Sequence, residues 1–150
     1  MAKSKFVYVT FIRTTPAKIW EALTVGKVTR QYWKMENVSD WERGSPWEHR
    51  EPGRNGALRL VGEVLEAKPP RRLVISWAFP ADAKNRRKHT RVAFDITKIG
   101  QGLTRLTVVH DELQPGSRME KGITWGWPRV LSSLKSFLET GRPFHPWVGT

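Results

Sequence analysis

The strongest constraint on the fold is a one-sided helical pattern that follows a run of strand-like segments late in the sequence. Within residues 127–139, apolar side chains recur at the three- and four-residue spacing of one helical face, at Trp127, Val130, Leu131, Leu134, Phe137 and Leu138. A helix with one apolar face needs a surface that covers it. The preceding strands predict that this surface is a sheet, with room for a cavity between sheet and helix.

Six strand-like segments precede this helix, and no helical pattern separates them. They are predicted at residues 38–42, 47–50, 57–67, 72–79, 89–99 and 103–113. Parallel strands need long crossovers, which are missing, so the sheet is predicted to be antiparallel. An earlier strand is predicted at residues 6–13. Because it is apolar on both faces, it is expected to be covered on both sides.

Two short helices are predicted between the first strand and the rest of the sheet. Thr15 is a typical N-cap, Pro16 suits the first helical position, and Gly26 is predicted to end this helix. The second helix covers residues 27–33. Near the end of the sequence, Gly126 and Pro128 predict a break, because proline inside a helix costs about 3 kcal/mol. We expect a helical turn over 117–124, then a bend, then the main helix, with the turn free to act as a lid.

Length and composition indicate one domain, covering residues 1–150, with enough apolar residues for a core. The sequence contains no cysteine, so disulfides and thiolate metal sites are excluded. It also contains no apolar stretch with the length of a signal peptide or a membrane span. These features predict a cytoplasmic protein that does not insert into a membrane.

A formal net charge of +12 is the unusual feature of the composition. Seven basic residues near strand ends and in one loop could form a patch: Lys68, Arg71, Arg72, Lys84, Arg86, Arg87 and Lys88. No nucleic-acid-binding motif accompanies them, which argues against nucleic acid as a partner. The patch is interpreted as a solvated surface, or else as a surface for an acidic protein partner.

Several segments together resemble the family of proteins similar to the activator of heat-shock protein 90 ATPase. They are TPAKIWEALT at 15–24, GEVLE at 62–66, PPRRL at 69–73 with SW at 76–77, TRLTVVH at 104–110 and GWPRVL at 126–131. The pieces come in family order and span residues 6–141. The resemblance implies the α+β helix-grip fold of the SRPBCC, START and Bet v 1-like superfamily. In that fold a seven-stranded, curved antiparallel sheet wraps around a long C-terminal helix and leaves a hydrophobic cavity.

The resemblance implies no single activity, because the superfamily includes lipid carriers, receptors, cyclases and co-chaperone domains. The expected function is binding or carriage of an apolar or amphipathic small molecule in the cavity. One alternative is a co-chaperone-like module that binds an acidic protein. The other is a cyclase- or hydrolase-type enzyme that uses a cavity histidine. The absence of a nucleophile motif or paired acids favours a protein that is not an enzyme, and no catalytic residue is predicted.

The candidate ligand-binding residues are the aromatic side chains on the predicted inner faces and one histidine: Trp33, Trp41, Trp47, Trp77, Phe79, Phe94, His110 and Trp127. The alternative is that these rings simply fill the core. His110 shares a face with Leu106 and Val108, so it could bind a ligand or act as a base. Alternatively, it is a core histidine bonded to backbone or to a carboxylate such as Glu112.

The other histidines lack ligand spacing, so neither a metal site nor a cofactor is predicted. The sequence allows a monomer or a homodimer, formed through an edge strand or the aromatic segment 143–147.

Overall fold

The computed structural model describes residues 2–149, which form a seven-stranded antiparallel sheet and three α-helices. The strands are β1 Ser4–Ile12, β2 Glu36–Ser39, β3 Pro46–Arg50, β4 Leu58–Lys68, β5 Arg72–Trp77, β6 Thr90–Gly100 and β7 Leu103–Leu113. The helices are α1 Pro16–Thr24, α2 Gly26–Trp33 and α3 Arg118–Thr140. The sheet order is β1-β7-β6-β5-β4-β3-β2, so only β1 pairs out of sequence order. This is the predicted α+β helix-grip architecture.

The core lies between the concave face of the sheet and α3. Leu106, Val108 and His110 alternate inward along β7, as the period of two predicts, and all are fully buried. On α3, Trp127 and Val130 are among the residues that bury one helical face against them. No helix within residues 2–149 is long and apolar enough to cross a membrane.

The start of α1 follows the prediction, whereas Gly26 has a different role. The Thr15 hydroxyl accepts a hydrogen bond from the Lys18 amide at 3.3 Å, and Pro16 is the first helical residue. Gly26 begins α2 and does not end α1. A Cβ at this position would come 3.3 Å from the Asn37 carbonyl oxygen, so the glycine lets α2 lie close to β2.

The predicted break before the main helix is wrong, because α3 runs without interruption through Pro128. The turns on both sides of the proline bury Ile123, Trp127 and Val130 in the core, which holds the helix together. The proline removes a donor from the Thr124 carbonyl, and Thr124 is exposed, so water can replace that bond. The segment before the proline is therefore the first part of one helix, and the predicted lid is not formed.

The prediction that the first strand is covered on both sides is also wrong. β1 lies at an edge of the sheet and pairs with β7 alone among the described residues. Val7, Val9 and Phe11 on its outer face are 49%, 49% and 46% exposed. None of the helices within residues 2–149 packs on this side, since α3 occupies the opposite face. A run that is apolar on both sides therefore does not by itself show that both sides are covered.

β2 is shorter than the predicted strand at 38–42. It ends at Ser39, because Trp41 adopts a left-handed backbone conformation with φ of 57°. The Ser39 hydroxyl accepts a hydrogen bond from the Trp41 amide at 2.9 Å and stabilises this turn. The turn keeps Trp41 out of the sheet.

Candidate functional site

A cavity of about 510 Å³ lies between α3 and the part of the sheet formed by β3, β4 and β5. Its volume falls within the range of about 300–1,000 Å³ that is typical of small-molecule sites. Its aromatic walls are Trp33, Trp77, Phe79, Trp127 and Trp147. Large rings of this kind supply most of the contact area in an apolar binding site.

One face of α3 forms a complete side of the cavity. Its lining residues recur at helical spacing and include Met119, Gly122, Ile123, Gly126 and Trp127. A Cβ at Gly122 would meet no atom within 4 Å, so this glycine leaves open space at the wall. The lining residues Arg59, Ala81, Arg118 and Gly122 are exposed, which places the opening between β4, the Pro80–Asp82 turn and the start of α3.

The segment after α3 folds back and closes another side of the cavity. The Ser133 hydroxyl donates to the Phe144 carbonyl at 2.7 Å, and the Arg129 guanidinium donates to the Val148 carbonyl at 2.8 Å. These bonds place Trp147 over the cavity, where its indole N–H donates to the Trp33 carbonyl at 3.1 Å. The aromatic segment 143–147 is thus covered in part by its own chain.

Trp77 is the centre of a packed group of rings behind and beside the cavity. Its ring centroid lies 6.4 Å from that of Trp33, 5.2 Å from Trp47 and 5.4 Å from Trp127. Interlocked rings at these separations have few alternative rotamers, so the wall they form is rigid.

His110 is a satisfied core histidine. Its Nδ1 accepts a hydrogen bond from the Trp127 indole at 3.0 Å, so Nε2 carries the proton and donates to the Thr90 hydroxyl at 2.7 Å. That hydroxyl donates in turn to the Trp77 carbonyl at 3.0 Å. Burial lowers the pKa of His110 to about 3, which keeps the ring neutral. Both nitrogens are occupied, so this imidazole orients Trp127 and has no free atom for a ligand.

His49 is a buried polar residue of the cavity wall. The Asn37 amide donates through Nδ2 to the Leu23 carbonyl at 3.2 Å, which directs its Oδ1 to Nδ1 of His49 at 2.6 Å. The His49 Nδ1 therefore carries the proton, and Nε2 is left with a free lone pair. This Nε2 forms no hydrogen bond with any residue in 2–149, although His49 is only 4% exposed. Burial lowers its pKa to about 3.

The indole N–H of Trp77 also lacks a partner within the described part of the chain. Trp77 lines the cavity and is 4% exposed. By contrast, the indoles of Trp47, Trp127 and Trp147 each donate to an identified oxygen or nitrogen. The Trp77 nitrogen has essentially no accessible surface, so it lies inside the packed rings and not at the cavity surface, and a buried donor without an acceptor costs about 1–3 kcal/mol.

The sequence of residues 13–139 matches the family model described as Activator of Hsp90 ATPase homolog 1-like protein. The match covers most of the chain. The chain belongs to this family. Comparison with curated proteins finds no relative with significant similarity.

Solved structures of this fold agree with the family assignment. A protein from Mesorhizobium loti is 25% identical with a TM-score of 0.72, over 90% of this chain and 96% of that one. The Aha1 dimer from Colwellia psychrerythraea is 20% identical with a TM-score of 0.73, over 92% and 98% of the two chains. An HSP90 activator from Plasmodium falciparum is 18% identical with a TM-score of 0.73, over 93% and 97%. The family match confirms the resemblance found in the sequence, and the solved structures confirm the fold.

Within this Activator of Hsp90 ATPase homolog 1-like fold, half of the predicted ligand-binding residues reach the cavity. Trp33, Trp77, Phe79 and Trp127 line it. The structure does not bring the other four to its wall: Trp41, Trp47, Phe94 and His110. Trp47 and Phe94 pack behind Trp77 and Trp127, Trp41 packs at the edge of the core, and His110 lies behind Trp127.

His49 is the site residue that the sequence reasoning missed. It was considered only as a metal ligand, for which the histidine spacing is wrong. A signal was nevertheless available on β3. Trp47 and His49 are two residues apart on one strand, so a prediction that Trp47 points inward also directs His49 inward.

The predicted basic patch is partly neutralised. Four of its seven members form ion pairs: Lys68 and Arg72 with Glu66, Arg72 also with Asp95, Arg86 with Glu63, and Lys88 with Asp82. Exposed pairs of this kind add little stability, but each carboxylate reduces the positive potential of the surface around it.

The hydrogen bonds around His110 give a prediction for the Thr90→Val variant. The substitution keeps the shape of the side chain but leaves the His110 Nε2–H without an acceptor in the core. We expect the free energy of unfolding to fall by about 1–3 kcal/mol, measured by urea denaturation.

Thr107→Val is the matched control, since Thr107 lies on the outer face of β7 and forms no side-chain hydrogen bond within residues 2–149. It should change the stability by less than about 0.5 kcal/mol. Equal stability of the two variants would contradict the role assigned to Thr90.

Proposed function

We propose that this chain binds an apolar or amphipathic small molecule in the cavity between α3 and the sheet. The observation that carries the proposal is the aromatic cavity of about 510 Å³. Its apolar walls and one unpaired polar atom, Nε2 of His49, have the composition of a small-molecule site.

A co-chaperone role is the alternative that the family name and the Plasmodium falciparum HSP90 activator suggest. The charged surface supports this role less strongly than the cavity supports ligand binding. An acidic partner would need a strong positive patch, whereas most of the predicted patch is paired with carboxylates. An enzymatic role based on His110 has no free nitrogen to use.

The direct test is native mass spectrometry of the protein purified from its own host. We expect a bound small molecule that is released on denaturation and whose chemical class can then be identified. In parallel, the fluorescent probe 1-anilinonaphthalene-8-sulfonate should bind saturably with a stoichiometry of one.

The variant Gly122→Leu tests whether the fluorescent probe binds in the cavity. A leucine at this position would project into the open space beside the wall, so we expect probe affinity to fall at least about tenfold. Ser132→Leu adds the same side chain on the exposed face of α3 and is the matched control. Equal affinity of both variants and the original protein would place the probe elsewhere and refute the proposal.

A further inference from the structure

Nε2 of His49 is a free hydrogen-bond acceptor that faces the cavity. Within residues 2–149 this atom has no partner, yet the fully buried side-chain atom without a partner is Nε1 of Trp77 and not this one. Nε2 therefore retains accessible surface. His49 is only 4% exposed and lines the cavity, so that surface opens into the cavity.

Asn37, which lies opposite His49 in the pairing of β2 with β3, fixes the tautomer and the orientation of this imidazole. Its backbone N–H donates to the Thr29 hydroxyl at 3.1 Å, and its Nδ2 donates to the Leu23 carbonyl at 3.2 Å. The Oδ1 atom is thus left to accept from Nδ1 of His49 at 2.6 Å. With the proton held on Nδ1, Nε2 presents a lone pair and can only accept.

The acceptor lies among apolar groups of the cavity wall. The ring centroids of Trp33 and Trp77 are 4.8 and 6.1 Å from that of the imidazole. Leu60 is the residue opposite His49 in the pairing of β3 with β4, and it also lines the cavity. A polar atom in such surroundings is costly while unpaired, so a ligand that donates to it gains more than the same bond would give in water.

The charges of the lining favour a neutral donor over an ionised one. Among residues 2–149 the lining contains no aspartate or glutamate to pair with a cation. Its cationic side chains, Arg59 and Arg118, are exposed at the opening and would repel a cation that enters. A carboxylate against His49 would lose its water and would place one acceptor against another.

We propose, on the basis of the ligand-binding function above, that the ligand of this cavity carries a neutral N–H or O–H group and donates it to Nε2 of His49. The class is an apolar molecule with one neutral hydrogen-bond donor, such as an N–H heteroaromatic compound or a phenol. An ether or a hydrocarbon of the same shape leaves the lone pair without a partner and therefore binds more weakly.

Two pairs of nearly isosteric compounds test the N–H donor and the O–H donor separately. Indole donates an N–H where benzofuran has an ether oxygen, and 1-naphthol donates an O–H where 1-fluoronaphthalene has fluorine. Affinities are measured on the unmodified protein by displacement of the anilinonaphthalene probe. We expect the donor to bind about fivefold or more tightly than its isostere in at least one pair. A preference in one pair alone identifies the type of donor that the cavity accepts.

Nuclear magnetic resonance of the histidine ring nitrogens reports the contact itself. We expect His49 to carry its proton on Nδ1 in the unliganded protein. Its Nε2 resonance should move to lower chemical shift when the preferred donor is added and stay in place with the isostere. His110 is the internal control, because both of its ring nitrogens are bonded within the core. A proton on Nε2 of His49 in the unliganded protein would overturn the proposal.

The variant His49→Phe tests the acceptor. It keeps an aromatic ring in the wall and removes the lone pair, so the preference for the donor should fall below about twofold, while the isostere is little affected. His89→Phe is the matched control, since it also removes a hydrogen-bonded imidazole but lies outside the cavity lining. If His49→Phe does not fold, the isosteric pairs and the ring-nitrogen spectra still test the proposal on the unmodified protein.

The results also separate this inference from the ligand-binding proposal. Equal affinities within both pairs, or failure of all four compounds to bind while the anilinonaphthalene probe binds, would overturn the donor proposal and leave ligand binding in the cavity standing. If no compound, the probe included, bound saturably, both proposals would be overturned.

Discussion

Replacing Gly62 with alanine is expected to lower the free energy of unfolding by about 3 kcal/mol or more. Gly62 lies in β4 opposite Trp47 of β3, where the indole N–H of Trp47 donates to the Ser76 carbonyl at 2.7 Å. A Cβ on Gly62 would lie 2.6 Å from the Ser76 carbonyl carbon and still closer to its oxygen and to the indole nitrogen. Backbone and a fully buried tryptophan cannot both move aside, so the overlap must be relieved by displacement of β4 or loss of the hydrogen bond.

The Gly62→Ala substitution should also disturb the cavity wall, because Trp47 packs against Trp77, which lines the cavity. Loss of stability is measured by urea denaturation, and the change in the ring cluster by near-ultraviolet circular dichroism. Gly122→Ala is the matched control. It lies inside α3 with open space around it, so alanine should raise stability by about 0.5–1 kcal/mol. A Gly62→Ala protein as stable as the original would contradict the close approach seen here.

Acidification from pH 7 to pH 5 is expected to lower stability by about 2 kcal/mol for each of His49 and His110. Burial lowers the pKa of both to about 3 in the folded protein, whereas the unfolded chain has the ordinary value near 6.5. Between these values the unfolded state binds more protons, so stability decreases as the pH falls. The full stability is present above about pH 6.5.

This pH range isolates the imidazoles, because ordinary carboxylates stay ionised above about pH 5 in both states. The measurement is the unfolding free energy at several pH values from urea titrations. His49→Leu should remove about half of the slope. His145→Gln, which removes an exposed imidazole, is the comparison variant. A stability that is constant between pH 7 and pH 5 would show that the two buried rings are not held neutral.

The architecture could be predicted from the sequence wherever local pattern and tertiary environment agree. The period of two from Leu103 to Leu113 defines β7 correctly, because every inward side chain meets the core. Thr15 and Pro16 identify the start of α1 through local hydrogen bonding alone. The apolar face of α3 could also be predicted, because the spacing of its apolar residues reflects the single surface that covers the helix.

The predictions that were wrong depend on what lies beyond the local chain. Pro128 is tolerated because Ile123, Trp127 and Val130 anchor the turns around it, which local propensity cannot reveal. Val7 has the pattern of a covered residue, yet no element of the described chain packs on the outer face of β1. The local sequence indicates the secondary structure and burial that a residue favours, but it does not show which other element packs against that residue.

The sequence predicts a cavity between the sheet and the last helix, but it does not identify all the residues that line this cavity. Trp47 and Trp77 are both buried aromatic residues of the sheet, and only the packing of Trp47 behind Trp77 decides which one faces the cavity. His49 was missed because its significance depends on Asn37, which leaves Nε2 as an acceptor. Such a tautomer is a property of the assembled hydrogen bonds and has no signature in the spacing of residues.

The arrangement of the cavity also has a consequence for the synthesis of the protein. Its wall joins Trp33 from early in the chain to Trp147, and among residues 2–149 β1 pairs with β7 alone. A nascent chain can form helices and hairpins as it leaves the ribosome, but it cannot enclose this space until Trp147 has emerged. Any molecule enclosed in the cavity must therefore be loaded after Trp147 has left the ribosome, and not while the earlier strands are being made.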